Sequence, residues 1–130
     1  MQYLLDTDWI AAYLRATSAF VTAIDDRRTE GIAMSVVTLA ELFSGVSQSS
    51  QPAKAEEQLR RFARGAPILG IDDRIARIWG EQDARLTRVG TKIGDLDLFI
   101  AATALAHGLT LCTQNRKHFE RVDGLKIISL

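Results

Sequence analysis

The sequence has only one cysteine, Cys112, so no disulfide can form within the chain. The disulfide framework typical of small secreted domains is therefore excluded, and no oxidising compartment is required. Apolar runs are also short, well below the roughly 20 residues that span a bilayer. The first residues have no basic segment, and Asp6 and Asp8 interrupt them, unlike a secretory signal. These absences predict a cytoplasmic protein without a membrane partner.

A net charge is lacking as well, because 16 basic residues balance 16 acidic ones. Nucleic-acid-binding proteins usually have a basic excess, so the balance by itself argues against such a partner. The argument changes if Asp6, Glu41 and Asp97 hold a cation, because 16 basic residues then face 13 acidic ones. The bulk charge therefore does not exclude RNA. The length of 130 residues and the 47% hydrophobic content predict one globular domain over residues 1–130.

Short apolar runs alternate with helical patterns along the whole chain. Strands are predicted over residues 3–5, 32–35, 68–69, 109–113 and 126–129. A helix is predicted from about Asp8, and others over residues 19–24, 37–43, 53–64, 72–88 and 97–107. This alternation is typical of a parallel sheet with helices on both faces. Ligands of such sheets bind beyond the carboxyl ends of the strands, so acids that follow strands are the first candidates for a site.

Asp6 directly follows the first predicted strand. It is either a turn acid that caps the next helix or a functional carboxylate. Asp8 is the better candidate for the cap, because the helical residues follow it at once. That assignment leaves Asp6 without a local role at the edge of the sheet where ligands bind.

Glu41 and Asp97 have similar alternatives. Thr38 and Glu41 have the spacing of a capping box, which would explain the glutamate structurally. Asp95 and Asp97 both begin the alanine-rich helix, where the helix dipole favours carboxylates. Asp95 is expected to be the N-cap, which leaves Asp97 free in the first turn to point toward the end of the first strand.

Carboxylates from distant parts of a chain repel one another when they meet, and each raises the pKa of its neighbours. A cation removes that cost, and hard divalent ions such as Mg²⁺ prefer oxygen ligands. A site of this kind can activate water and offset the charge of a phosphate. No zinc pattern of cysteines and histidines is present, and His107 and His118 are expected at a helix end or on the surface.

Two other classes of protein share some of these features. A haloacid-dehalogenase-like phosphatase has an Asp-x-Asp pair after a strand, as at Asp6 and Asp8, but Ile10 stands where that family has threonine. A response-regulator receiver has a phosphoacceptor aspartate after a middle strand and a late lysine. Here the middle acid is Glu41 on a predicted helix, and Lys126 begins the last strand.

Four segments in a fixed order reach nearly from one end of the chain to the other. They are residues 4–7 (LLDT), residues 35–42 (SVVTLAEL) with Gly45, residues 97–102 (DLFIAA), and residues 111–115 (LCTQN) followed by 119–122 and 124–125. Together they resemble PIN-domain ribonucleases, in particular the VapC-type toxins of type II toxin–antitoxin systems. A non-catalytic PIN-like module that only binds RNA or protein is a further alternative.

The resemblance implies a fold and a site. The fold would be a three-layer α/β/α sandwich around a mainly parallel sheet. Asp6 and Asp97 would be the ligands of Mg²⁺ (or Mn²⁺), and Glu41 would complete the catalytic acids. Thr7, Thr113 and Asn115 would support them by hydrogen bonds. Many members have a fourth acid near Asn115, which brings no charge here.

The resemblance also implies an activity and partners. The reaction would be hydrolysis of RNA phosphodiester bonds to leave a 5′-phosphate and a 3′-hydroxyl. The chain would form a homodimer and bind a cognate antitoxin protein that covers the active groove. Phe43, Leu59 and Phe62 mark a predicted pair of helices, and we expect an apolar surface there to receive the antitoxin.

Overall fold

The computed structural model describes residues 1–130 and contains one five-stranded sheet. Every strand pair is parallel, and the order across the sheet is β3-β2-β1-β4-β5. The first strand is therefore the central one. The strands are β1 (Tyr3–Leu5), β2 (Ile32–Ser35), β3 (Ile68–Leu69), β4 (Thr110–Cys112) and β5 (Ile127–Ile128).

Seven α-helices connect and follow these strands. They are α1 (Thr7–Leu14), α2 (Ser18–Arg27), α3 (Val36–Ser47), α4 (Pro52–Ala63), α5 (Asp73–Val89), α6 (Asp95–His107) and α7 (Arg116–Phe119), with a 3-10 turn at Arg28–Glu30. Each predicted strand and helix is present; β1, β2 and β3 have the predicted limits, and the other elements have shifted ends. The short helix α7 was not predicted. No helix is long and apolar enough to cross a membrane.

Alternation along the strands divides the core into two layers. Successive side chains of a strand point to opposite faces of the sheet. Leu4 accordingly packs with residues of α5, α6 and α7, whereas its neighbour Leu5 packs with residues of α1 to α4. Leu111 and Cys112 on β4 divide between the same two clusters. The predicted α/β/α sandwich with a parallel sheet is confirmed.

The helices enclose both faces with large buried side chains. Leu86, Leu98 and Phe119 cover one face, and Trp9, Ile24 and Leu59 cover the other. Cys112 is buried among the second set, and burial raises the pKa of its thiol to about 12. The cysteine is therefore an inert core residue, as its apolar sequence context predicts.

Candidate active site

The carboxyl ends of β1, β2 and β4 meet at one edge of the sheet, because these strands are parallel neighbours. Asp6 follows β1, α3 begins directly after β2, and Thr113 follows β4. This edge is the one at which parallel α/β folds bind ligands. The candidate residues from distant parts of the sequence are brought together here.

Asp6 is held at this edge by two donors. One carboxylate oxygen, Oδ1, accepts a 2.8 Å hydrogen bond from the amide of Thr7, and Oδ2 accepts a 2.6 Å bond from the hydroxyl of Thr113. The side chain is only 6% exposed. Asp6 is also the N-cap of α1, so the assignment of that cap to Asp8 was wrong. The reason is that helical backbone already begins at Thr7, one residue earlier than predicted.

Burial dominates the electrostatics of Asp6. Desolvation raises the pKa of its carboxyl from 3.8 to about 7, and the hydrogen bond from Thr113 only partly offsets the rise. The charges of Asp8 and Asp97 add to the rise. The positions of these two acids therefore oppose ionisation of Asp6, and a positive charge at this edge would favour it.

Glu41 does not serve as a cap. The N-cap of α3 is Ser35, whose hydroxyl accepts a 3.0 Å hydrogen bond from the amide of Val37. Glu41 lies one turn further along, where its Oε1 accepts a 2.7 Å bond from the hydroxyl of Thr7. The same Thr7 hydroxyl is 3.2 Å from the hydroxyl of Thr38. The capping-box interpretation was wrong, and Thr7 instead links α1 to the acid of α3.

Asp97 lies in the first turn of α6, as predicted, and is half-buried. Desolvation raises the pKa of its carboxyl, and the charges of Glu41 and Asp8 raise it further. His118 acts in the opposite direction, with its Nδ1 3.9 Å from Oδ2 of Asp97. Asp6, Asp8, Glu41 and Asp97 thus form one electrostatically connected set, which we call the acid edge.

Asp95 is not the N-cap of α6. That position belongs to Gly94, and no side chain makes a capping hydrogen bond there. Asp95 is the first residue of the helix and is exposed, and its backbone carbonyl accepts a 3.1 Å bond from the indole of Trp79. The predicted cap was wrong because the helix begins at Asp95 itself, two residues before the predicted start.

Asp95→Ala therefore tests the corrected helix start. We expect it to cost at most a few tenths of a kcal/mol, since only an exposed charge near the helix dipole is lost. Asp72→Ala is the matched control: Asp72 is the N-cap of α5 and accepts a 2.9 Å bond from the amide of Ile75. That variant should lose about 1 kcal/mol. Urea unfolding measures both, and equal losses would restore Asp95 as a cap.

The other predicted supporting residues have unequal roles. Thr113 is fully buried and accepts a 3.0 Å bond from the amide of Asn115 while its hydroxyl holds Asp6. The side-chain amide of Asn115 lies 3.1 Å from Nδ1 of His118, not against an acid. Sequence reasoning placed His118 on the surface and missed this contact. The Asn-x-x-His spacing at the start of a short helix was the available signal.

The acid edge is more open than a preformed metal cage. No group of three or more acids, histidines or cysteines is close enough to hold an ion as it stands. Mg²⁺ usually takes only one or two protein carboxylates and keeps several waters, so an open set of carboxylates fits it. Oδ1 of Asp8 is buried and has no hydrogen-bond partner. An unsatisfied carboxylate oxygen on an acid whose charge acts on Asp6 and Asp97 fits a site for a hard cation.

The predicted apolar surface for a partner is not present. Leu59 is fully buried and Phe62 is 5% exposed, because both pack into the layer formed by α1 to α4. Phe43 is covered by the guanidinium of Arg60, 5.3 Å from the ring centre. The apolar helical residues that were expected to receive a partner belong to the hydrophobic core instead. A cavity of about 330 Å³ lies nearby, with Tyr13, Arg28 and Phe62 in its lining, and it contains none of the acids.

The fold and the acid edge define an α/β/α domain with converging acids at the carboxyl ends of its central strands. A family model described as PIN domain matches residues 3–125. The chain belongs to the PIN domain family, as its sequence segments predict.

Known relatives extend over almost the whole chain. A protein named tRNA(fMet)-specific endonuclease VapC, from Salmonella typhimurium, is 28% identical over 98% of this chain and 96% of its own length. The structure of VapBC2 from Rickettsia felis, bound to a promoter DNA fragment, contains a chain that superposes with a TM-score of 0.93. The Rickettsia chain is 29% identical to this one, and the match covers 100% of this chain and 99% of the Rickettsia chain.

A third similar structure is VapBC-5 from Mycobacterium tuberculosis, described as a member of the VapBC family of toxin–antitoxin systems. Its matched chain is 32% identical, with a TM-score of 0.66, and the match covers 76% of this chain and 82% of that one. The matches to the Salmonella and Rickettsia chains cover almost the whole chain and therefore include the segments that carry the candidate acids.

Proposed function

We propose that this chain is an endoribonuclease that hydrolyses RNA phosphodiester bonds and acts as the toxin of a toxin–antitoxin pair. One observation carries the proposal: Asp6, fixed by Thr113 across β1 and β4, lies within electrostatic reach of Asp97 on α6. Membership in the PIN domain family and similarity to a tRNA endonuclease support it. An acid edge without function would be costly, because burial and mutual repulsion raise the pKa of its carboxyls.

Asp6 and Asp97 would hold Mg²⁺ or Mn²⁺. When bound, the cation supplies positive charge that offsets the scissile phosphate and makes a water more acidic. Thr113 and the amide of Thr7 keep both oxygens of Asp6 in fixed directions. Hydrogen bonds of this kind orient the ligands of a metal site and increase its affinity for the metal.

Glu41 would act on the attacking water. Thr7 holds its Oε1, so Oε2 remains to orient the water and accept its proton. The water oxygen bonds to phosphorus as the bond to the 3′-oxygen breaks, and the 3′-oxygen takes a proton from solvent, so the products carry a 5′-phosphate and a 3′-hydroxyl. The substrate's own 2′-hydroxyl takes no part. The side chains of Asn115 and His118 contact each other next to the acid edge, and they would contact the RNA near the scissile phosphate.

Transfer RNA is the first substrate class to test, since the Salmonella relative is named for one tRNA. RNA recognition depends on unpaired loops whose bases and phosphates reach the protein. Asp8, Glu41 and Asp97 are only partly buried, so a loop can approach the acid edge. A second copy of this chain and a cognate antitoxin are the expected protein partners.

Induced expression in bacteria tests the toxin role. Wild-type protein should arrest growth, and coexpression of the cognate antitoxin should restore it. Asp97→Asn should be harmless at the same protein level, because the fold is kept while the charge that holds the cation is lost. Unimpaired growth with abundant protein that is active after purification would contradict the role as a toxin.

A further inference from the structure

Asp8 has one carboxylate oxygen without a hydrogen-bond partner, although the amides of Trp9 and of Asp8 itself stabilise its charged form. It lies in the first turn of α1, where its Oδ2 accepts a 2.9 Å hydrogen bond from the amide of Gln114. Its Oδ1 is buried without any hydrogen-bond partner. An acid at a helix start benefits from the helix dipole, but that benefit does not require a buried oxygen. Burial of an unsatisfied carboxylate oxygen costs free energy, so it needs a partner of another kind.

The position of Asp8 connects it to the acid edge. Gln114, whose amide binds Asp8, directly follows Thr113, whose hydroxyl binds Asp6. The charge of Asp8 also raises the pKa of Asp6 and that of Asp97. Desolvation raises the pKa of Asp8 itself, and the backbone amides of Gln114, Trp9 and Asp8 offset part of the rise. Asp8 therefore belongs electrostatically to the same set as the two proposed ligands.

Gln114 fixes the direction of Asp8. Its side-chain Oε1 accepts bonds from the indole of Trp9, 3.1 Å away, and from the amide of Leu130, 2.8 Å away. Its Nε2 donates a 3.0 Å bond to the carbonyl of Leu130. With its side chain anchored on two segments, the backbone amide of Gln114 holds Oδ2 of Asp8 in place. Oδ1 is consequently the oxygen left for another ligand.

Position 115 contributes no charge to the site. Asn115 follows Gln114 directly, and its neutral side chain is occupied with His118. Within the Thr113-Gln114-Asn115 segment, the side chain of Thr113 holds Asp6 and the amide of Gln114 holds Asp8, whereas Asn115 holds neither acid. The structure thus places a fourth carboxylate on α1 and none at position 115.

We propose that Asp8 is a further acid of the cation site, in which its free Oδ1 supplies the negative charge that position 115 lacks. The inference rests on the proposed function, since it assigns Asp8 to the cation held by Asp6 and Asp97. Oδ1 acts either on the ion or on one of its waters. In both cases the charge of Asp8 contributes to affinity for the ion, and Gln114 is its positioning residue.

The test is the Mn²⁺ dependence of the melting temperature of the purified full-length chain, which needs no RNA. An ion that binds only the folded state stabilises that state and raises the melting temperature of the protein. Asp8→Asn keeps an oxygen to accept the Gln114 bond, so its metal-free melting temperature should equal or exceed that of wild type. The Mn²⁺ concentration needed for a half-maximal rise should increase by about tenfold or more.

Asp73→Asn is the matched control, because Asp73 is an exposed acid in the first turn of α5 and is remote from the acid edge in the sequence. It should leave the Mn²⁺ midpoint unchanged. Asp97→Asn should abolish the rise. If wild type itself shows no rise, the proposed function fails. If wild type and Asp97→Asn behave as expected while Asp8→Asn keeps the wild-type midpoint, only the role of Asp8 is overturned.

A second part of the experiment moves the negative charge of Asp8 to another position. The double variant Asp8→Asn/Asn115→Asp moves the carboxylate from position 8 to position 115, and its Mn²⁺ midpoint should return toward that of wild type. A midpoint that stays at the Asp8→Asn value overturns the idea that Asp8 replaces a charge at position 115. If Asp8→Asn does not fold, Asp8→Ser keeps a small oxygen acceptor and is measured in the same way.

Discussion

Asp6→Asn and Asp97→Asn will each lower the rate of RNA cleavage by more than about a hundredfold. Loss of a residue that only orients a metal ligand typically costs 10- to 100-fold, so loss of a proposed ligand charge should cost more. Asparagine retains the shape of the side chain and, at position 6, an oxygen for the bond from the amide of Thr7. The measurement is cleavage of total cellular RNA at fixed Mn²⁺ by variants with matched melting temperatures.

Asp95→Asn controls for the loss of an acid at the start of α6. Asp95 lies two residues from Asp97 but is exposed and has no capping bond, so its replacement should leave the cleavage rate near that of wild type. A fully active Asp97→Asn beside an inactive Asp95→Asn would show that the acids of α6 are assigned in the wrong order. Full activity of Asp6→Asn would remove Asp6 from the site.

Without a divalent cation, the chain should lose stability as the pH rises from about 4 to about 7. The pKa of Asp6 is raised from 3.8 to about 7 in the folded state, mainly by burial. Over this range the folded chain keeps a proton that the unfolded chain has released, so a rise in pH favours unfolding. A difference of about three pKa units corresponds to roughly 4 kcal/mol at the upper limit.

Urea unfolding in EDTA at several pH values measures this effect against Asp6→Asn, which cannot titrate at position 6. The variant should be similar to wild type near pH 4 and become progressively more stable than wild type toward pH 7. Added Mn²⁺ should reverse the trend for wild type, because the ion binds the ionised carboxylate more strongly at higher pH. Parallel curves for the two proteins in EDTA would show that Asp6 ionises normally in the folded chain.

The sheet could be predicted because its strands are short apolar segments bounded by polar residues, glycine or proline. Tyr3–Leu5, Ile32–Ser35 and Ile68–Leu69 have the predicted limits for this reason. Helix starts were less predictable. Several polar residues compete for each cap, and a shift of one or two residues moved the caps of α1 and α6 to Asp6 and Gly94. The four-residue helix α7 is too short to give a periodic pattern.

The candidate acids were found from their positions after strands and from family resemblance, but their contacts were not. Thr113 lies 107 residues from Asp6, and Gln114 lies 106 residues from Asp8. No local pattern records such pairs, which depend on the register between β1 and β4. The same limit explains the error at Leu59 and Phe62. A helical stripe shows that one face is apolar, but the fold alone decides whether core or a partner covers it.

The most direct test of a metal-dependent ribonuclease is a Mn²⁺ titration of cleavage by purified chain that was first treated with EDTA. Total cellular RNA is the substrate, and the ends of the products are identified by their chemistry. We expect no cleavage in EDTA, a saturable return of activity with Mn²⁺, and products with 5′-phosphate and 3′-hydroxyl ends. Undiminished cleavage in EDTA, with cyclic 2′,3′-phosphate ends, would contradict it, because the RNA's own 2′-hydroxyl would then be the nucleophile.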